Sequence, residues 1–265
     1  MHLGSTVTGP EPSLYLGGYD QTRVLGSVLV SPGGMGPVNL MDISTNVVSG
    51  HSPFSFPSSQ AGPLAMNSAI GDKLTVGIGG CAPYISLPKS TCDNIARFLP
   101  VEYDSNPGLK FCFGAFFHLP VEQHPRDHRS VPFKHLNLTL DEPLASPPIP
   151  YVPCNPQDDF FVLGRAFLQD AFIGQNYEDT SLGGKEGGVF YVAQAPGPNI
   201  STSPNVVELG GGGLGVSAST SDQASTWVGH WTPLTADQAY NYTTLNSNTS
   251  SDGFNPGTIA GITIA

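Results

Sequence analysis

Glycine and proline set the first limit on this chain, with 32 of one and 25 of the other among 265 residues. Together they make up about a fifth of the sequence, where about 12% is usual. Glycine weakens helix interiors through its backbone entropy, and proline removes a backbone donor and clashes with the preceding turn. Charged residues are 12% of the chain, about half the common share, which excludes long solvated helices and coiled coils. A turn-rich, all-β fold is therefore expected. The length suits one or two domains with a sizeable core. Ten basic residues against 21 acidic ones leave a formal charge of −11. Such a chain repels phosphate and anionic lipid, so nucleic acid and charged membrane surfaces are not expected partners. No apolar run is long enough to span a bilayer. Met1-His2-Leu3-Gly4-Ser5 has neither the basic start nor the apolar run of a signal peptide.

Strand signals recur up to about residue 196. Ser13–Leu16 runs into Gly17-Gly18, and Gly26–Val30 is a β-branched run. Val38–Ile43 follows Pro37 and leads on to Val47-Val48. Lys73–Ile78 and Leu136–Leu140 alternate with the period of a half-buried strand, and Val189–Val192 is the last such run. Two short helices are expected, at Ser90–Leu99 behind a capping serine and at Gly164–Ala171. Residues 197–265 are different. They hold no Lys or Arg and are rich in Gly, Ser, Thr and Asn, the composition of a flexible tail. Its Trp227 and Trp231, the only tryptophans, read as solvated linker aromatics, with docking onto the domain as the alternative.

Most chemistry-bearing patterns are incomplete. Gly210, Gly212 and Gly215 fit a dinucleotide fingerprint formally, but serines and threonines follow where a helix is needed. His124 and His128 are four apart, yet Pro125 spoils the helix that a metal pair would use, so no metal or cofactor is expected. The four cysteines, Cys81, Cys92, Cys112 and Cys154, form no C-x-x-C pair. Nothing positions Cys81 beside a histidine, so it reads as a small buried hydrophobe. Asn137, Asn199, Asn241 and Asn248 head N-x-[ST] sequons and are glycosylation candidates. With the acidic balance and sparse charge they describe the surface of a secreted protein.

Four segments carry a resemblance. Ser13-Leu14-Tyr15-Leu16-Gly17-Gly18-Tyr19-Asp20 resembles the stretch where pepsin-like aspartic proteases pass from their N-terminal to their C-terminal lobe. Ala82-Pro83-Tyr84-Ile85-Ser86-Leu87-Pro88 is similar to the sequence just after the second catalytic aspartate in a fungal branch. Phe161–Leu168, containing Leu163-Gly164, resembles the I-L-G-x-x-F-L signature near the lobe's end. Val189–Pro198 is similar to the same branch. The matches follow family order across residues 13–198.

The resemblance implies a single pepsin-like lobe over residues 1–196, all-β with one or two short helices, and a disordered tail over 197–265. It also implies a disulfide between Cys92 and Cys154, with Cys81 and Cys112 left as free thiols. Proteases of this family act on peptide or protein substrates with two aspartates, one per lobe, that share a proton across a bridging water. Here the N-terminal lobe has no place before Ser13. The position of the second aspartate falls on Gly79, within Ile78-Gly79-Gly80-Cys81, and glycine has no proton to exchange. Asp42, Asp179 and Asp252 lack the flanking Thr/Ser-Gly turn and read as turn or solvated carboxylates. The segment Phe111–Ser130 lacks the strand pattern expected of the family.

The expectation is thus an aspartic-endopeptidase relative without its catalytic residues, inactive as it stands. The alternative is a non-catalytic binding or surface protein that reuses the lobe. Secretion or display at the cell surface is what the resemblance implies. An uncovered lobe interface would favour self-association.

Overall fold

The computed structural model describes residues 1–5, 9–34, 36–43, 45–46, 59–60, 73–96, 117–120, 128–136, 138–143, 146, 148–179, 182, 188–209, 216–219, 221–230 and 235–237. Strands dominate, with three short α-helices among these residues. In chain order the elements are β1 (Gly18–Asp20), β2 (Leu25–Pro32), β3 (Val38–Leu40), β4 (Thr45–Asn46), β5 (Ser59–Gln60), β6 (Leu74–Ile78) and β7 (Ile85–Pro88). Then come α1 (Lys89–Ala96), β8 (Phe117–Pro120), β9 (His128–Val131), α2 (Phe133–Leu136), β10 (Leu138–Leu140) and β11 (Ile149–Tyr151). The last are β12 (Cys154–Gln157), β13 (Val162–Leu163), α3 (Arg165–Leu168), β14 (Ala171–Asn176), β15 (Val189–Gln194) and β16 (Val206–Glu208). Single 3-10 turns occupy Gln21–Arg23 and Ala224–Trp227.

Two sheets build the body. One has five strands in the order β12-β7-β13-β6-β3, and the other has three, β14-β15-β2. In the five-stranded sheet β13 lies between β6 and β7, parallel to the first and antiparallel to the second. The chain thus leaves β6, turns over Gly79–Tyr84 and returns as β7, leaving room for a third strand between. β6 alternates as its sequence predicts: Leu74, Val76 and Ile78 are buried and Thr75 is exposed. These side chains join Val38, Leu40, Ile85, Leu163 and Phe167 in the main core, and one face of the three-stranded sheet, carrying Ile173, Phe190 and Val192, closes it.

The other face of that sheet is also buried. Val189, Tyr191, Ala193 and Phe172 pack with Tyr19, Val24 and Val216 in a second core, which Val207, Leu209 and Ala218 flank. Every residue of β15 is buried, the environment in which a continuous apolar run rather than an alternating one is needed.

Val207, Leu209, Val216 and Ala218, which help Tyr19 and Val24 to cover this second face, come from the segment expected to be a flexible tail. That expectation fails for its described part. β16 pairs antiparallel with β1, Tyr19 opposite Val207. Ser219 N donates to Val24 O at 2.7 Å. Trp227 is 2% exposed and its indole meets the His135 ring edge-on, centroids 5.2 Å apart. It also lies on Gly197, where a Cβ would fall 2.5 Å from its Nε1, so only glycine admits the ring. Composition misread this strap because a few apolar residues, well spaced, suffice to anchor a polar segment on an apolar sheet already made. Trp231 and residues 238–265 lie outside the described residues.

Other sequence expectations shift. Ser13–Leu16 is not a strand: only Ser13 pairs, in an isolated bridge with His2, and Leu14 and Leu16 point to solvent. The run at Leu136–Leu140 divides into the end of α2 and β10. The second helix is short, since Ala171 already belongs to β14, whose β-branched and aromatic residues pair with β15. β8 and β9 pair within the stretch expected to lack strands, Phe117 opposite Val131. Backbone pairing there does not need the alternating pattern that was sought.

Cys92 on α1 and Cys154 at the start of β12 are joined, Cα atoms 6.2 Å apart and 62 residues apart in sequence. Both are buried in the main core. The bond ties the helix to the edge strand that it covers. Replacing both cysteines with alanine is expected to lower stability by about 4 kcal/mol on loop-closure entropy, read as a fall in denaturant midpoint. Trp227→Ala is expected to cost about 3–5 kcal/mol by cavity formation. A solvated Trp227 would leave the unfolding midpoint of that variant unchanged.

Candidate functional site

The turn after β6 is where the resemblance would put a catalytic carboxylate. Val162 and Leu163 hold the end of β6 in place: Gly77 N donates to Phe161 O at 2.8 Å and Gly79 N to Leu163 O at 3.2 Å. From the other side the start of α3 grips the turn. Gly164 N donates to Tyr84 O, Arg165 N to Ala82 O and Ala166 N to Pro83 O, at 3.1, 2.8 and 3.2 Å. A Cβ at Gly164 would collide with the Tyr84 and Ala82 carbonyl oxygens, so close approach of the two backbones requires glycine there. Two segments about 80 residues apart in sequence, each singled out by the resemblance, thus form one unit.

That unit presents no carboxylate at Gly79. A Cβ there would touch only Val162 Cγ1, at 3.9 Å, so the position has room for a side chain that the sequence does not supply. Cys81, beside it, is a free and exposed thiol. This corrects the expectation of a buried cysteine: the turn carrying it faces solvent rather than the core. The Arg165 guanidinium reaches back to Gly80 O at 3.4 Å. Nearby, Tyr84 and Tyr151 meet edge-on, and burial, with Tyr84 adding to it, pushes the Tyr151 hydroxyl up to about 12.

The other aspartates considered in the sequence are engaged locally. Asp42 Oδ1 accepts from the Ile43 amide at 2.8 Å. Asp179 is buried, and its Oδ2 accepts from the Tyr191 hydroxyl at 3.2 Å. Burial, with the Asp179 charge next to it, pushes that hydroxyl up to about 12. Asp252 lies outside the described residues, as do Cys112, His124, the glycine run at 210–215, Asn137, Asn241 and Asn248. Asn199 is exposed on the strap. Among the described residues no group of three metal-ligating side chains occurs, and no helix is long and apolar enough to cross a membrane.

The strongest buried polar cluster escaped the sequence reading. Asp170 and His135 are each 2% exposed, with Asp170 Oδ2 at 2.8 Å from His135 Nδ1. Burial raises the Asp170 carboxyl above its ordinary value, and the facing His135 opposes that shift. Trp227 packs edge-on against the His135 ring, and both members of the pair are buried from solvent. Gln194 extends the cluster. Its Oε1 accepts from Ser130 N at 2.6 Å, and its Nε2 donates to Ser130 O and Asp170 O at 3.0 and 2.8 Å. The buried Arg129 donates to Ser27 O and Val192 O at 2.9 and 3.2 Å. Together these side chains tie β9 to β15, the central strand of the three-stranded sheet, and to β2. The one signal in the sequence was Asp170 itself, set inside the apolar run Phe167–Phe172.

His2 is also buried, at 1% exposure. Its Nε2 sits 2.7 Å from Gln169 O, and Arg23 Nη1 lies 3.3 Å from its Nδ1. A carbonyl and a guanidinium as neighbours assign the proton to Nε2 and leave Nδ1 as the acceptor. Burial, with Arg23, the Met1 ammonium and His135 nearby, drops the His2 pKa from 6.5 to about 4, against the Gln169 hydrogen bond.

No protein-family model matches the chain, and no curated protein matches it.

The low His2 value makes a stability prediction. Between pH 6.5 and about 4 the unfolded chain takes up a proton that the folded one refuses. Stability contributed by neutral His2 is therefore complete above that window and falls with pH inside it, by about 3 kcal/mol in total. The raised Asp170 acts with the opposite sign. Subtracting the pH profile of His2→Leu from that of the parent isolates the His2 part, and parallel profiles would show that His2 titrates normally.

Proposed function

We propose that the chain is a pepsin-like lobe without peptidase activity. One observation carries this reading. The two segments resembling the family's catalytic-turn and L-G-x-x-F-L sequences close on each other through three backbone hydrogen bonds, and the turn they build bears Gly79 where the chemistry needs a carboxylate. Hydrolysis by this mechanism requires two acids sharing one proton. The only deeply buried acid–base pair in the described body, Asp170 with His135, is sealed beneath Trp227 and is not offered to a substrate. The Cys92–Cys154 bond, in the pairing that the resemblance implies, also supports the reading.

The purified chain is expected not to cleave denatured globin at any pH from about 2 to 7, the range in which a shared-proton dyad works. Gly79→Asp is expected to fold, since a Cβ there meets only Val162, at ordinary contact distance. It is also expected to stay inactive, because the mechanism needs two carboxylates and this substitution supplies one. Pepstatin-sensitive cleavage by the parent chain would overturn the proposal. Cleavage by Gly79→Asp alone would show that a second acid reaches this turn after all.

A further inference from the structure

A cavity of about 360 Å³ lies between the β1–β2 connection and the strap, inside the size range of small-ligand sites, about 300–1,000 Å³. Its buried floor is made by the apolar Leu25 and Pro196 together with Thr226. Its rim is made of amides and hydroxyls with Ile200 between them, and among the described residues no charged side chain lines it. A sugar ring matches this distribution, with a C–H face for the floor and hydroxyls around its edge for the rim.

Three rim groups keep hydrogen-bonding capacity to spare. The Thr22 hydroxyl donates to Asp20 Oδ1 at 2.8 Å and retains its lone pairs. Asn205 gives its Nδ2 to Gln21 Oε1 at 2.9 Å, which leaves its carbonyl oxygen to accept. Ser221 Oγ accepts from Ser219 Oγ at 3.2 Å and keeps its own hydrogen to donate. Beside them, Asn199, Ile200 and Ser201, one complete sequon, line the same cavity. Asn199 Nδ2 donates one hydrogen to Val228 O at 2.7 Å, and its Oδ1 meets His230 Nε2 at 3.0 Å. The side-chain amide is thereby fixed at the rim with its second hydrogen still replaceable.

We propose that this cavity seats a neutral N-acetylhexosamine residue, supplied either by a glycan on Asn199 or by a free saccharide. In the attached form a bond forms between Asn199 Nδ2 and the sugar C1 while the bond from C1 to a lipid-diphosphate carrier breaks. The amide loses one proton and the lipid diphosphate leaves. The remaining amide hydrogen still serves Val228 O. The inference does not depend on the pepsin-like reading, since the cavity lies away from the Gly79 turn.

Two preparations of the full chain test it, one made without glycosylation and one exported through a glycosylating host. In the first, N,N′-diacetylchitobiose is expected to shift the amide resonances of Thr22, Asn205 and Ser221 saturably. Ser221→Tyr, a change at an exposed position, is expected to abolish those shifts. In the second, a glycan at Asn199, read by glycopeptide mass spectrometry, identifies the attached source. An endoglycosidase should then release it at least about tenfold more slowly from native than from unfolded protein, a protection worth 1.4 kcal/mol. The free disaccharide should no longer bind until Ser201→Ala removes the attachment. Binding of chitobiose by the exported chain, with its Asn199 unmodified, identifies the free source. The proposal is overturned if chitobiose gives no saturable shift and any Asn199 glycan is released equally fast from native and unfolded chain.

Discussion

β15 is buried on both faces, and the rest of the molecule is arranged to make that so. One face, with Phe190 and Val192, closes the main core over the five-stranded sheet. The other, with Val189, Tyr191 and Ala193, would be a bare apolar surface on a two-layer body. Covering it falls to Tyr19 and Val24 together with Val207, Leu209, Val216 and Ala218 of the strap. A strand with no solvated face has to be covered twice, and a chain with so few charges has little else to spare for solvating it.

The same demand explains where the buried polar groups sit. β15 ends at Gln194, whose side chain bonds the Ser130 backbone of β9, a strand that the β15 backbone does not pair with. Asp170 lies across from it at the junction of α3 and β14, paired with His135. A carboxylate in such a place is costly unless it is paired and hydrogen-bonded, and Trp227 completes the seal on its partner. Strap and polar cluster are therefore one device: the segment that covers the second face of β15 also keeps water from the His135–Asp170 pair.

The clasp at Gly164 is independent of this device. There the constraint is backbone contact rather than burial, because α3 begins against the carbonyl oxygens of Ala82 and Tyr84. It holds the turn after β6 rigidly and fixes the place of Gly79. A turn held in this way can present a side chain well, and at Gly79 this chain has none. The scaffold of a site and its chemistry are separable, and the functional reading has to rest on the second.

Local patterns were legible wherever the physics was local. Glycine and proline content excluded long helices, the alternation of Leu74, Val76 and Ile78 marked β6, and the run Val189–Val192 marked β15. The cysteine pair followed only from a family resemblance, and Gly79 stood out only because a carboxylate was sought there. Tertiary structure alone decided the remainder. Whether Gly197 is a linker glycine or the floor beneath Trp227 depends on a residue 30 positions away, and no local signal carries that. Asp170 reads as an anomaly in an apolar run until His135 is placed beside it. The strap looked solvated because its composition cannot fold by itself. Its described part is ordered because β15, built from other parts of the chain, offers an apolar face that water covers at greater cost than Val207, Leu209 and Val216 do.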